Sequence, residues 1–109
     1  MKAHDLSGAE LVSVLATLAN PHRLRVVAAL ADGRNYVSQL ARELGISRAL
    51  LQVHLRKLEA AGLVESAMEL SEDGKAMKFY EVTEFAVTLT PRSIADAART
   101  LPAEKGTRE

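Results

Sequence analysis

Residues 38–62 read SQLARELGISRALLQVHLRKLEAAG. Leu40, Ala41 and Leu44 recur at helical spacing, and Gly45 interrupts them. Ser38 stands where the cap of this short helix is expected, and Ile46 is the apolar residue that packs the turn. Ser47 caps a longer helix running to about Ala61, with Leu51, Leu55 and Leu58 on its inner face, and Gly62 closes it. A helix of about seven residues, a tight glycine turn and a helix of about fifteen is the spacing of a helix-turn-helix.

Working outward, Ser7 and Glu10 form a capping box for an N-terminal helix that carries Leu11, Val14, Leu15 and Leu18. Asn20-Pro21 ends that helix and begins another, with an apolar stripe of Leu24, Val27 (with Ala28) and Leu30, terminated at Asp32-Gly33. Tyr36-Val37 is a short extended piece. Beyond Gly62 the period changes. Residues 63–70 and 78–89 read as two strands around the polar turn at 71–75, with Tyr80 and Val82 on one face and Phe79, Glu81 and Thr83 on the other. Phe85, Val87 and Leu89 restart the alternation after a bend at Glu84. Thr90-Pro91 opens a last helix with Ile94, Ala97, Ala98 and Leu101, and Pro102 ends it. The expected fold is mainly α with a small β-hairpin, an α+β chain in winged helix-turn-helix order.

Composition agrees. The 109 residues include 18 Ala and 16 Leu against 11 Val and Ile, which favours helix over sheet. With no cysteine, the chain has no disulfide, thiolate metal site or thiol nucleophile. No apolar run approaches the ~20 residues of a membrane span, and the N-terminus lacks a signal-peptide h-region, so a cytoplasmic protein without membrane contact is expected. The formal net charge is zero, but residues 21–66 carry +3 between ends of −1 and −2. That modestly basic middle suits a polyanion partner.

Three segments resemble ArsR-type (arsenic-repressor-like) transcriptional regulators. Residues 18–30, LANPHRLRVVAAL, resemble the family's second helix, L-x-[DN]-P-x-R-L-x-I-L-x-x-L. Ser38-Gln39-Leu40-Ala41 with Leu44-Gly45-Ile46-Ser47 is similar to its S-x-L-A and L-x-[VI]-S motifs. Residues 53–64, VHLRKLEAAGLV, resemble x-H-L-x-x-L-x-x-A-G-L-V. The set covers about residues 11–84. The resemblance implies a symmetric dimer that binds operator DNA through the winged helix. Metal-sensing relatives use cysteine pairs or His/Asp/Glu sets; this chain has no Cys, and Asp96 and Glu104 have no His companion, so no metal site or cofactor is expected.

On these grounds one domain spans residues 1–109, with a DNA-binding core at 7–89, a dimerisation helix at 90–102 and a tail at 103–109. The outer face and N-terminal half of a recognition helix enter the major groove, which nominates Arg48, Ala49, Gln52, Val53 and Arg56, flanked by Lys57. Arg reads guanine, Gln reads adenine, and Ala or Val touches thymine methyls. Ser38, Gln39 and Ser47 sit at helix N-termini, where phosphate oxygens are favoured. Lys75 and Lys78 flank the hairpin turn, although Glu69, Glu72 and Asp73 oppose a phosphate there. Leu11, Val14, Leu15, Leu18, Ile94, Ala97, Ala98 and Leu101 are the expected homodimer interface. His54 is expected to pack, His22 to lie at or near the surface beside Arg23, and the three histidines to be too far apart for a metal. No catalytic motif is present, so the chain is not expected to be an enzyme. The partner is double-stranded DNA; an effector, small molecule or protein, is left unassigned. The alternative is a winged helix that binds a protein through the apolar outer face of the recognition helix and does not read DNA.

Overall fold

The chain is described as a computed structural model over residues 6–103. Polar side chains cap four of its five described helices. Ser7 and Glu10 complete the capping box of α1 (Gly8–Leu18). Asn20 caps α2 (Pro21–Ala31) by accepting from Arg23 N. Ser47 Oγ accepts from Leu50 N to begin α4 (Arg48–Ala60), and Thr90 caps α5 (Pro91–Ala98). The exception is α3 (Val37–Leu44), which starts after Tyr36 with no side-chain cap. Ser38 is therefore inside the first turn and is not its cap: the chain leaves the two-residue strand β1 (Asn35–Tyr36) directly into the helix. Gly45, at φ 69°, makes the left-handed turn into α4, with Ile46 N bonded to Ala41 O at 3.2 Å.

The core forms around α4. Leu51, Leu55 and Leu58 have no exposed surface and meet Val14 of α1, Val26 and Leu30 of α2, Leu40 of α3, and Leu63, Val64 and Tyr80 of the hairpin. Burying each leucine side chain contributes about 1.5–3 kcal/mol. Strands β2 (Val64–Leu70) and β3 (Ala76–Val82) pair antiparallel with Ser66 opposite Tyr80, and β1 adds to the other edge of β3, giving the order β1-β3-β2. This is a winged helix-turn-helix, mainly helical with a small sheet.

Three further expectations are corrected. The buried stripe of α2 is Val26 and Leu30, while Leu24 is 53% exposed. The return strand ends at Val82; Phe85 and Val87 still pack half-buried on the core, as an extended strap without strand partners. The last helix ends at Ala98 and does not extend to Leu101. Of the expected tail at 103–109, residues 104–109 lie outside the described residues.

Helix α5 packs on α1. The contact depends on Gly8, whose amide donates to Thr100 Oγ1 at 2.7 Å. A Cβ there would lie 2.5 Å from Leu101 Cγ and 2.6 Å from the Ala97 carbonyl oxygen, so only glycine permits this approach.

Candidate nucleic-acid interface

The N-terminal half of α4 faces the wing across an open cleft of about 350 Å³. Arg48 and Gln52 come from α4, Ser38 from α3 and Lys78 from β3, with Tyr36, Val37, Ala76 and Met77 forming the walls. Arg48 and Gln52 are adjacent because residues four apart share a helix face. Among the described residues, the charged groups lining the cleft are both cations.

The wing's local acidity is managed by hydrogen bonds. Glu69 accepts from the Tyr36 hydroxyl at 2.7 Å and from Arg34 Nη2 at 2.8 Å. The Tyr36 bond, then Arg34, holds its carboxyl below the usual range, and the same bond raises the Tyr36 phenol. The Arg34 guanidinium also lies 4.1 Å from the centre of the Phe79 ring, and Phe79 packs edge-on against Tyr36. Glu69 is thus turned toward β1 and partly neutralised there. At the tip, Ser71 closes the turn: its hydroxyl donates to Asp73 and accepts from Lys75 N, and Gly74 supplies φ 86°.

Of the other nominated residues, Ala49 and Arg56 are exposed, as is Val53, on the outer side of α4. Ser47 Oγ is committed to its cap, and Gln39 donates to Glu43 at 3.3 Å. Lys75 is exposed at the wing tip, outside the cleft. Lys57 lies on the opposite flank of α4 from Arg48 and lines a different cleft with Arg23. In the expected dimer set, Val14, Leu11 and Ala97 are already buried within the chain and Leu18 packs half-buried on the core. Leu15, Ile94 and Leu101 are 38%, 48% and 43% exposed, Ala98 is also exposed, and Val12, which sequence reasoning passed over, is 56% exposed.

Behind α4 the histidines are closer than their sequence separation suggested. His22 and His54 stack with ring centres 5.2 Å apart. His54 is buried, and its Nδ1 faces Arg23 Nη1 at 3.2 Å. Arginine can only donate, so Nδ1 accepts and the proton of the neutral ring sits on Nε2. Burial, then the neighbouring Arg23, His22 and Lys57, lowers the His54 pKa. A permanent cation beside the paired rings opposes metal capture; among the described residues no group of three or more metal-ligating side chains forms.

An inward-braced helix-turn-helix with a hairpin wing beside its second helix defines the class of winged helix-turn-helix transcriptional regulators. The arsR family of bacterial regulatory proteins matches residues 20–66. An uncharacterised HTH-type transcriptional regulator of Methanocaldococcus jannaschii is 38% identical over 76 residues, which span 70% of this chain and 79% of the relative. The chain belongs to the ArsR family of transcriptional regulators, which are not enzymes. Among solved structures, the homodimeric winged helix-turn-helix DNA-binding domain of a Mycobacterium bovis protein, described as a possible ArsR-family transcriptional regulator, superposes with a TM-score of 0.61 at 25% identity, covering 84% of this chain and 70% of that one. The transcriptional repressor BigR from Xylella fastidiosa gives a TM-score of 0.60 at 26% identity, covering 84% and 79%. No helix among the described residues is long and apolar enough to cross a membrane.

Proposed function

We propose that the chain is a sequence-specific DNA-binding regulator that acts as a homodimer on a pseudo-palindromic operator. The observation that carries this reading is the convergence of Ser38, Arg48, Gln52 and Lys78, from three elements, on one acid-free cleft beside the exposed end of α4. Arg48 and Gln52 read base edges, Ala49 and Val53 touch thymine methyls, and Ser38, Arg56, Lys75 and Lys78 hold phosphates. Gln39 and Ser47 support the helix ends that face the backbone. Dimerisation uses Leu15, Ile94, Leu101 and Val12 on the α1–α5 layer, a reading supported by the homodimeric relative. Selecting bound sequences from a random duplex pool tests the proposal: it predicts an inverted repeat with half-sites about one helical turn apart, and recovery of no consensus contradicts it.

A second reading, docking of a protein partner on α4, is favoured by one observation. Leu50 and Val53 are each 39% exposed on the outer part of the helix. An apolar partner interface responds weakly to salt, whereas phosphate binding weakens steeply as counterions are released. No cysteine is present. Zinc, cadmium or arsenite at micromolar level is therefore expected to leave operator binding unchanged, as gel-shift assays with each ion would show.

A further inference from the structure

On the far side of α4 from Arg48, a second cleft of about 320 Å³ opens between α1, α2 and the C-terminal half of α4. It brings together two cations, Arg23 of α2 and Lys57 of α4, and the hydroxyl residues Ser13 and Thr17 of α1, between the methyl groups of Ala16 and Ala60. No carboxylate among the described residues lines it. Glu59, two residues from Lys57, instead accepts from the Ser66 hydroxyl at 3.2 Å. The Arg23 guanidinium is held in place before any ligand arrives: Nε donates to the Thr17 carbonyl at 2.5 Å and Nη1 to His54 Nδ1 at 3.2 Å. Neither acceptor carries a charge, and the Nη2 edge has no hydrogen-bond partner among the described residues. Two like charges on facing walls repel, and an anion between them turns that repulsion into attraction.

We propose that this cleft binds a small organic acid, its carboxylate between Arg23 and Lys57 and its short apolar body against Ala16 and Ala60. A fixed guanidinium suits a carboxylate because its planar N–H edge matches the two oxygens. The hydroxyls of Ser13 and Thr17 supply further donors. The volume lies at the small end of ligand pockets, which run from about 300 to 1,000 Å³. The cleft also joins the two parts of the molecule that matter for regulation. Ser13 and Thr17 lie on the flank of α1 opposite Gly8 and Leu15, and Lys57 lies on the helix that carries Arg48 and Gln52. An anion that ties Lys57 to Arg23 fixes α4 against α1 and α2, which makes the site an effector site; this last step rests on the DNA-binding reading.

Isothermal titration calorimetry on the free 109-residue chain at low salt tests the site, with benzoate, hexanoate and inorganic phosphate as probes. Saturable one-to-one binding of both carboxylates is expected, weakened about tenfold or more in Lys57→Met and retained in Lys57→Arg, as loss of one charge-assisted hydrogen bond implies. Absence of saturation, equal affinity in Lys57→Met, or phosphate binding as tight as benzoate overturns the organic-acid site. Operator affinity is then measured with and without saturating benzoate. A change of about fivefold or more is expected for an effector, and no change in the wild type overturns the effector role. Failure of the protein to bind any duplex either with or without benzoate overturns the DNA reading instead and leaves the calorimetric result standing.

Discussion

Arg23 donates to two acceptors at once, the Thr17 carbonyl and His54 Nδ1. Burial, then the Arg23 guanidinium, holds the His54 pKa below the ordinary 6.5. The unfolded chain therefore binds a proton more readily than the folded one. Stability is full above the unfolded value and is lost as pH falls from about 6.5 through the folded value. Urea unfolding at pH 7.5 and 5.5 should show this loss in the wild type and a smaller one in His54→Gln, whose amide oxygen still accepts from Arg23; equal losses would remove His54 as the cause. The same arginine orients α2: its bonds to Thr17 and His54 turn the Arg23 flank of the helix inward, with Val26 and Leu30 in the core and Leu24 outward. At the reading face, Arg48→Ala or Gln52→Ala should each cost roughly 1–3 kcal/mol at the selected site and relax preference at one base pair. Unaltered preference in both variants, measured by competition with single-base-pair mismatches, would dismiss α4 as the reader.

At the scale of elements, the legible parts are those whose ends are set by local chemistry. Ser7, Asn20, Ser47 and Thr90 cap where their sequence positions say they should, and Leu51, Leu55 and Leu58 face inward as their spacing requires. Elements whose limits depend on distant partners were not legible. Alternation of Phe85 and Val87 is a true burial pattern, but a strand also needs a neighbour to pair with, and pairing of β3 stops at Val82. Nothing near Gly8 in sequence reveals that α5 will rest on it, since Ala97 and Thr100 arrive from the other end of the chain. Gly8→Ala should therefore loosen α5 from α1 and destabilise the fold by about 1–3 kcal/mol, the usual cost of overpacking. Denaturant unfolding together with amide exchange over 91–98 checks this; full stability with unchanged protection would show that the close approach is not needed. Met68 and Leu70 of β2 stay 62% and 73% exposed, and nothing among the described residues covers them.

At the scale of the molecule, the α1–α5 layer leaves Val12, Leu15, Ile94 and Leu101 partly bare, with Leu15 on the flank of α1 opposite the Ser13 and Thr17 side of the cationic cleft. A two-fold partner covers such a face with the same residues from a second copy. Leu15→Glu with Ile94→Glu should give a folded monomer with far weaker operator binding. Sedimentation analysis at micromolar concentration decides it, and a double mutant that still sediments as a dimer contradicts the assignment. In the proposed dimer Arg56, Lys75 and Lys78 would each act twice, which sets the arithmetic of DNA binding. The most direct measurement is the salt dependence of affinity for the selected operator duplex, read by fluorescence anisotropy. Six cationic phosphate contacts, three from each protomer, predict a log–log slope of about −5, reduced by about 2 in Arg56→Ala. A slope near zero, the same in both proteins, would contradict the claim that this winged helix binds DNA.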